Sequence, residues 1–532
     1  MPVQLHNIRI DIDADDARLL DAAAARLRLS ADQVVSARIV RRALDARGRR
    51  PALVYTVDAR LAPDVDEADV AEAAGGTIVA EPEDPTLDLE PGQEPLPGRP
   101  VVVGAGPAGL CAAYLLARFG FRPLVVERGQ SVPQRGRDVE RFLQTGELDP
   151  ESNLLFGLGG AGTWSDGKLR WQPSDPFARF VLHLLVRCGA GEEVLVDSRP
   201  HVGSDVLGEV VSELAGLIEA SGGAFRFGCR VDGLALAGGR AAGVRCGDET
   251  IEAGAVLLGV GHSARDTFRA LSDQAVAIEP RPFQVGVRVE HPQELIDRSQ
   301  YGRYAGHPRL PAAELRLRHK ARGGWRSVHS FCTCPGGIIV PAVNRDGELC
   351  TNGMSERARA GEFANTALVV AVSPRNFGAG RFDGVRFQER IERAAFAAAG
   401  SFAAPAQRAN DFLRDRDGPP PDRTSYPLGL VPTRLSQILP NTVYGSIVRA
   451  MGMTFDRMVP GFAGEKGSVL APETRVSSPV RFTRREETRE SVSTPGLYPI
   501  GEGSGYAGGI VSSAVDGLRT ARRLIQAHRP AE

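Results

Sequence analysis

Residues 100–129, PVVVGAGPAGLCAAYLLARFGFRPLVVERG, leave few options for how this chain folds. An apolar strand at 101–103 runs directly into Gly104-Ala105-Gly106-Pro107-Ala108-Gly109. A helix-forming segment follows, then a second apolar strand at 123–126 that ends on Glu127. This is a βαβ unit carrying a dinucleotide fingerprint, in which each special residue has a physical task. Gly104 permits the tight turn out of the strand, and Gly106 lets the backbone approach a pyrophosphate. Gly109 lets the helix lie close to the sheet, and the helix N-terminus at Pro107 and Ala108 faces the phosphates. Glu127 follows Gly109 by eighteen positions, with Arg128 beside it. A carboxylate at that distance accepts hydrogen bonds from an adenosine ribose.

At 532 residues the chain is too long for one ordinary core, so two or three domains are expected. Its 64 basic and 65 acidic residues balance, which speaks against nucleic acid as a partner and against a polybasic membrane anchor. No apolar run approaches the length of a membrane span. The N-terminal segment lacks the apolar centre of a signal peptide, and the seven cysteines are scattered and odd in number. A soluble protein of the reducing cytoplasm is expected.

Residues 1–80 read as a small α+β domain of ferredoxin-like type. Strands are expected at 3–12 and 52–57, with helices at 16–27 and 31–42. The basic cluster Arg41, Arg42, Arg47, Arg49 and Arg50 reads as a solvated helix end or as a docking face. Residues 81–98, rich in proline and acid, form a linker. The first part of the nucleotide-binding domain then spans 99–274, with helices expected at 139–146 and 205–221 and short strands at 224–227, 231–236 and 242–246. An apolar strand at 255–258 ends in Gly259-Val260-Gly261-His262 and returns the chain to the dinucleotide sheet. Alternation at 285–289, 326–331 and 338–343 suggests an antiparallel sheet. Residues 275–470 are accordingly read as an inserted substrate or cap domain, and residues 471–532 as the C-terminal part of the nucleotide-binding domain. In the insert, Cys332-Thr333-Cys334 is too close-set for an ordinary disulfide and lacks the partners of a zinc site. It reads as small buried residues at a turn or as a redox-active thiol pair. Residues 351–355 read as a tight turn.

Two further glycine-rich stretches extend the pattern. Residues 157–167 place five glycines in eleven positions, with Gly159, Gly160, Gly162, Thr163 and Gly167 followed by Lys168. Such a loop lets the backbone pass close to a flat ligand. Near the end, a strand at 497–500 delivers Gly501-Glu502, and Gly508-Gly509 then opens a helix at Ile510.

These motifs, in this order, resemble the glutathione-reductase-like flavoproteins. Within that superfamily the chain resembles a bacterial family of FAD-dependent dehydrogenases of unknown substrate. The resemblance rests on GAGPAGL (104–110), FGLGGAGTWSDGKL (156–169), GHSARDTF (261–268), SFCTCPGG (330–337), TNGMS (351–355), ETRVSSPVRF (473–482) and GEGSGYAGGIVSSAVDG (501–517). It implies a Rossmann-like FAD-binding domain of three-layer ββα type. The acid after Gly501 would bind the ribityl chain, and the helix from Ile510 would point its dipole at the flavin ring. Asp is usual there, and this chain has Glu502. Gly261 and His262 would lie beside the flavin, although His262 also reads as a turn cap. Where disulfide reductases of the superfamily carry a redox cysteine pair after the glycine loop, this chain has Trp164 and Asp166.

The implied activity is an FAD-dependent oxidoreductase, a dehydrogenase or reductase moving hydride between a small organic substrate and non-covalent FAD. An NAD(P)H-dependent flavin monooxygenase is one alternative, and an FAD-binding RNA-modification or scaffold protein is another of a different class. No second βαβ unit with a dinucleotide fingerprint is visible, so NADH or NADPH enters only as a transient electron donor, alongside other donors. His262, Lys168 and Asp166 are the candidates to handle the proton that accompanies hydride. Arg475 and Arg481 read as structural or as clamps for an acidic substrate.

Overall fold

Strand Pro100–Val103, with all four residues buried, lies at the centre of a five-stranded parallel sheet. In the computed structural model, which describes residues 1–48, 50–79, 84–86, 88–172, 174–321 and 323–531, its neighbours are Leu124–Val126 and Ala255–Leu258. Ala224–Arg226 and Leu497–Pro499 lie outside these, and every pairing is parallel. Successive side chains leave opposite faces of a strand. Val102, Val125 and Leu257 therefore enter a core shared with helices Pro107–Arg118, Pro176–Arg187, Ser204–Ala220 and Ile510–Ala527. Val101, Val103, Val126, Val256 and Leu258 enter a second core. That core is covered by an antiparallel sheet of Gly233–Ala237, Arg240–Cys246 and Glu249–Glu252. A mixed α/β, Rossmann-like fold results. Helix Ile510–Ala527 packs on Pro107–Arg118 with no room to spare: a Cβ at Gly517 would stand 2.1 Å from the Ala108 carbonyl oxygen.

The second large layer is a seven-stranded sheet in the order Arg318–His319, Val328–Cys334, Phe363–Val372, Phe283–Pro292, Ser468–Glu473, Ala404–Arg408, Leu430–Pro432. Its neighbours are antiparallel except the last pair, which is parallel. The expected turn at 351–355 is instead strand Thr351–Met354, paired with Ile338–Pro341. Helices Pro176–Arg187, Arg265–Asp273 and Asn441–Ala450 were not anticipated.

Residues 3–78 form a four-stranded antiparallel sheet in the order Val34–Asp45, Ala52–Leu61, Val3–Asp11, Thr77–Ile78, with helices Arg18–Leu27 and Glu67–Ala74. The helix expected at 31–42 is a correction. Only Ala31–Gln33 turns, and the rest is strand. The β-branched pairs Val34-Val35 and Ile39-Val40 are stiff at χ1 and suit a pleated sheet. The basic cluster thus lies on a strand and its hairpin, not on a helix end; Arg49 lies outside the described residues. Arg42 is a contact between units: its Nε is 2.8 Å from Asp197 Oδ1, and its carbonyl accepts from Ser198 N–H at 2.8 Å. Within the expected linker, residues 81–83 and 87 lie outside the described residues. Further on, Leu89 and Leu96 are buried, and Glu94–Pro95 pairs with His528–Arg529. No described helix is long and apolar enough to cross a membrane.

Helix Val132–Thr145 extends the one expected at 139–146 and carries the residue that shapes the glycine loop. Arg135 is completely buried and donates to the carbonyls of Asn153, Leu158 and Gly160 at 2.8, 2.8 and 2.9 Å. Its guanidinium lies 4.3 Å over the Trp164 ring. A buried acceptor left without its donor costs roughly 1–3 kcal/mol. Arg135→Met is therefore expected to destabilise the protein by about 3 kcal/mol or more, read as a lower denaturant midpoint, and Arg135→Lys is expected to recover only part of the loss.

Candidate active site

The turns at the carboxyl ends of the parallel strands, where open α/β sheets bind ligands, open into one cleft. It encloses about 1800 Å3 of space including its mouth. Gly104, Gly106, Pro107, Ala108, Glu127, Arg128, Gly160, Gly162, Gly167, Lys168, Gly261, His262, Gly501, Glu502, Gly508, Gly509 and Ile510 all line it. Four separate stretches of the chain thus meet around one space. Gly109, Gly159 and Thr163 stand behind the lining and shape it. A Cβ at Gly109 would lie 1.9 Å from the Gly104 oxygen, Gly159 N–H donates to the Ala105 carbonyl at 2.8 Å, and Thr163 is buried.

The glycines on the surface of the cleft are of another kind. A Cβ at Gly106 would meet only the Gly160 Cα, 4.0 Å away, and at Gly261, Gly508 or Gly509 nothing within 4 Å. Side chains there would occupy the cleft itself, so these residues form a cradle for something that must touch backbone. At one end, Glu127 is buried and accepts from the N–H groups of Ala105, Gly129 and Gly157 at 2.8, 2.9 and 2.9 Å. It joins the first turn to the glycine loop. Arg128 is held by Glu151 and Asp266 at 2.7 and 2.8 Å and covers the Phe156 ring at 4.2 Å.

At the other end, Glu502 faces the cleft with no hydrogen bond to its carboxylate among the described residues. Burial pushes it up to about 7, against the pull of Arg281. An unpaired carboxyl over a glycine cradle, at the start of an eighteen-residue helix, fits a ligand with hydroxyl donors and a phosphate-bearing chain. FAD has both. Half-buried His262 sits nearby with its Nδ1 2.9 Å from Ser263 Oγ. Burial, reinforced by Arg475 and Arg265, lowers it to about 4, so the imidazole is neutral at physiological pH.

Asp166 differs from the free proton carrier that its motif position suggests. It is 1% exposed and both its oxygens are engaged. Lys168 Nζ lies 2.8 Å from Oδ2, Arg359 donates to Oδ1 at 3.0 Å and Oδ2 at 2.5 Å, and Ser355 Oγ donates as well. Burial works against this carboxylate, but Lys168 and Arg359 outweigh it and hold it at about 2. Lys168 is half-buried. Cys334, Asp166 and Cys332 outweigh the cost of its burial and keep the ammonium above its ordinary range, and Nζ also reaches the Thr333 carbonyl. Behind it, Leu169 N–H donates to the Pro200 carbonyl and Val202 N–H to Gly167, at 2.9 and 3.1 Å. Ser355 and Arg359 lie between strands Thr351–Met354 and Phe363–Val372; Ser355 closes the TNGMS stretch, whereas Arg359 had no sequence signal, its partner being 193 positions away.

Arg475 lines the cleft from within a buried ionic cluster. It is buried with Arg265 against Glu392 and Glu348 and reaches Asn344. Arg481 does not line the cleft and stands 3.8 Å from Glu279. Among the described residues, no group of His, Cys, Asp or Glu could hold a metal.

Comparison with known proteins places this geometry. Residues 282–476 match the model for the C-terminal domain of FAD-dependent proteins, and residues 102–154 match that of an NAD(P)-binding Rossmann-like domain. Residues 2–60 match a domain of unknown function. An uncharacterised protein of Clostridium beijerinckii is 37% identical over 537 residues, covering 99% of each chain. Among solved structures, glycine oxidase from Bacillus cereus covers 81% of this chain and 98% of its own, at 11% identity and a TM-score of 0.35. An oxidoreductase from Methanosarcina mazei covers 79% and 99%, at 14% identity and a TM-score of 0.33. Both scores are too low to carry either fold across. The full-length relative and the two domain matches decide the matter: this chain belongs to the family of that relative and is an FAD-dependent oxidoreductase built on a Rossmann-like nucleotide-binding unit.

Proposed function

We propose that the enzyme moves hydride between a small organic substrate and FAD held without a covalent bond in the cleft. The observation that supports this most directly is the glycine cradle, whose open positions come from three separate motifs and face one space. FAD, when bound, supplies the two-electron hydride chemistry. The backbone N–H groups at Gly106 and the start of helix Pro107–Arg118 would hold the pyrophosphate, with Glu127 at the ribose. Glu502 would take the ribityl hydroxyls, and the N-terminus of helix Ile510–Ala527 would favour negative charge on the ring. Gly159, Gly162, Thr163 and Gly167 shape the loop that would lie against the flavin. Neutral His262, on the lining of the cleft, would accept the proton released with hydride. Lys168 supplies a fixed positive charge, and Asp166 positions Lys168.

The seven-stranded layer is read as the substrate domain and residues 1–80 as a ferredoxin-like unit. NADH or NADPH is the proposed transient donor. Bleaching of the flavin bands within seconds of anaerobic NADH or NADPH addition is the expected result. Persistent bands would instead assign electron supply to the substrate, and a protein that shows no flavin bands even after FAD is added would overturn the reading.

The cradle also separates binding from folding. Gly106 has φ −80° and ψ −178°, which any residue adopts, and its Cβ direction is open. Gly106→Glu is expected to fold with an unchanged circular dichroism spectrum and to lose more than nine-tenths of its flavin. Gly109→Ala, which drives a methyl into the Gly104 carbonyl, is expected to lower the melting temperature and the soluble yield as well.

Glu502 gives a pH signature. Its folded pKa, about 7, is raised above the ordinary 4.5. The stability tied to its neutral form is therefore complete below pH 4.5 and is lost as pH rises through 7. In the flavin-free protein, Glu502→Gln is expected to remove that decline from the melting temperature between pH 5 and 8.

A further inference from the structure

The substrate-side wall of the cleft carries a feature that the flavin site does not use. Strand Val328–Cys334 pairs in register with Phe363–Val372 up to Phe331↔Ala367 and resumes at Cys334↔Asn365. One residue more is spent on the first strand than on the second, so the ladder bulges at Cys332 and Thr333. A bulge re-aims side chains and is common beside active sites. Cys332 sits in it with a left-handed φ of +46°.

Two cations hold the bulge in place. Arg288, itself fully buried against Glu473, donates to the Cys332 carbonyl at 3.2 Å, and Lys168 Nζ takes the next carbonyl, that of Thr333. Between them the Cys332 side chain faces the cleft beside Lys168, half-buried, while Cys334 is wholly buried behind it. The Cys334 thiol donates to the Cys332 carbonyl at 3.6 Å, which ties the two residues together across the bulge.

We infer that Cys332 and Cys334 form a dithiol that reduces a small-molecule disulfide at the cleft, with Cys332 as the attacking sulfur and Lys168 as its counter-charge. The asymmetry within the pair agrees. The neighbouring Cys334, with Lys168 and Arg288, lowers Cys332 to about 5 despite burial, and Cys332 and burial raise Cys334. The thiolate is the nucleophile in such exchange.

The steps balance. The Cys332 thiolate attacks one sulfur of RSSR, the S–S bond breaks, and a mixed disulfide forms as RS⁻ leaves. That RS⁻ takes the Cys334 proton and departs as RSH. The Cys334 sulfur then attacks Cys332, forming the intramolecular disulfide and expelling the second RS⁻, which is protonated by water. Two electrons pass from the cysteine pair to the small disulfide. The pair replaces, from a distant strand, the cysteines absent from the glycine loop at Trp164 and Asp166.

The test uses the purified holoenzyme with oxidised glutathione as probe and peptide mass mapping as readout. The wild type is expected to lose two free thiols, both from the peptide holding 332 and 334. Cys334→Ser is expected to trap one glutathionyl group on Cys332, and Cys332→Ser to do neither. Iodoacetamide labelling of Cys332 in the unsubstituted enzyme reads the same property without any variant. Its rate is expected to be half-maximal well below pH 8.5, the midpoint of a free thiol, and Lys168→Met should slow it at least tenfold at pH 6. Overturning results would be no adduct on Cys332 in a folded Cys334→Ser protein, or labelling of Cys332 with an ordinary thiol profile and no faster than half-exposed Cys246. Because flavin content is read from the visible spectrum of the same samples, failure of the cofactor assignment and failure of the thiol assignment are separate results.

Discussion

The arrangement of the cleft depends on one buried carboxylate. Asp166, at the end of the glycine loop, receives Lys168 from its own loop and Arg359 and Ser355 from the segment that leads into strand Phe363–Val372. Removing one partner of a buried ion pair typically costs about 3–5 kcal/mol, because the other charge is left unpaired. The loop that forms one wall is therefore locked to the unit that forms the opposite wall. Without that lock, Lys168 would have no fixed place beside the cysteines.

A second buried cluster repeats the device deeper in the interface. Arg265 follows the strand that returns to the parallel sheet, and Arg475 follows the last long strand of the other layer. Both clasp Glu392 on helix Asp383–Ala399. Their charges satisfy one another out of solvent, which gives the arginines of GHSARD and ETRV a common partner. Fixed polar networks of this kind specify one docking geometry where a purely apolar interface would tolerate several.

What could be read from the residues follows the range of the interactions involved. The parallel sheet, the glycine turns and most of the cleft lining were legible because strand alternation, tight turns and helix starts are local constraints, written within a few positions of one another. Residues 31–42 misled because alanine and arginine suit a helix, while the β-branched pairs and the neighbouring strand decide otherwise. The engagement of Asp166 was invisible, since Arg359 is 193 positions away. The same holds for Cys332: the motif shows two cysteines, but the bulge that turns one of them toward Lys168 exists only through pairing with Phe363–Val372.

The hold of the N-terminal unit on Asp197 and Ser198 bears on what counts as the smallest working piece of this protein. Those two residues run straight into 200–202, which pair with 167–169, the segment that presents Lys168. A fragment begun at the glycine motif would keep every residue of the cleft and still lose the brace behind its wall. The first strand pairs of the chain are thus part of the scaffolding of the active site, and a cassette cut at residue 100 is a different machine.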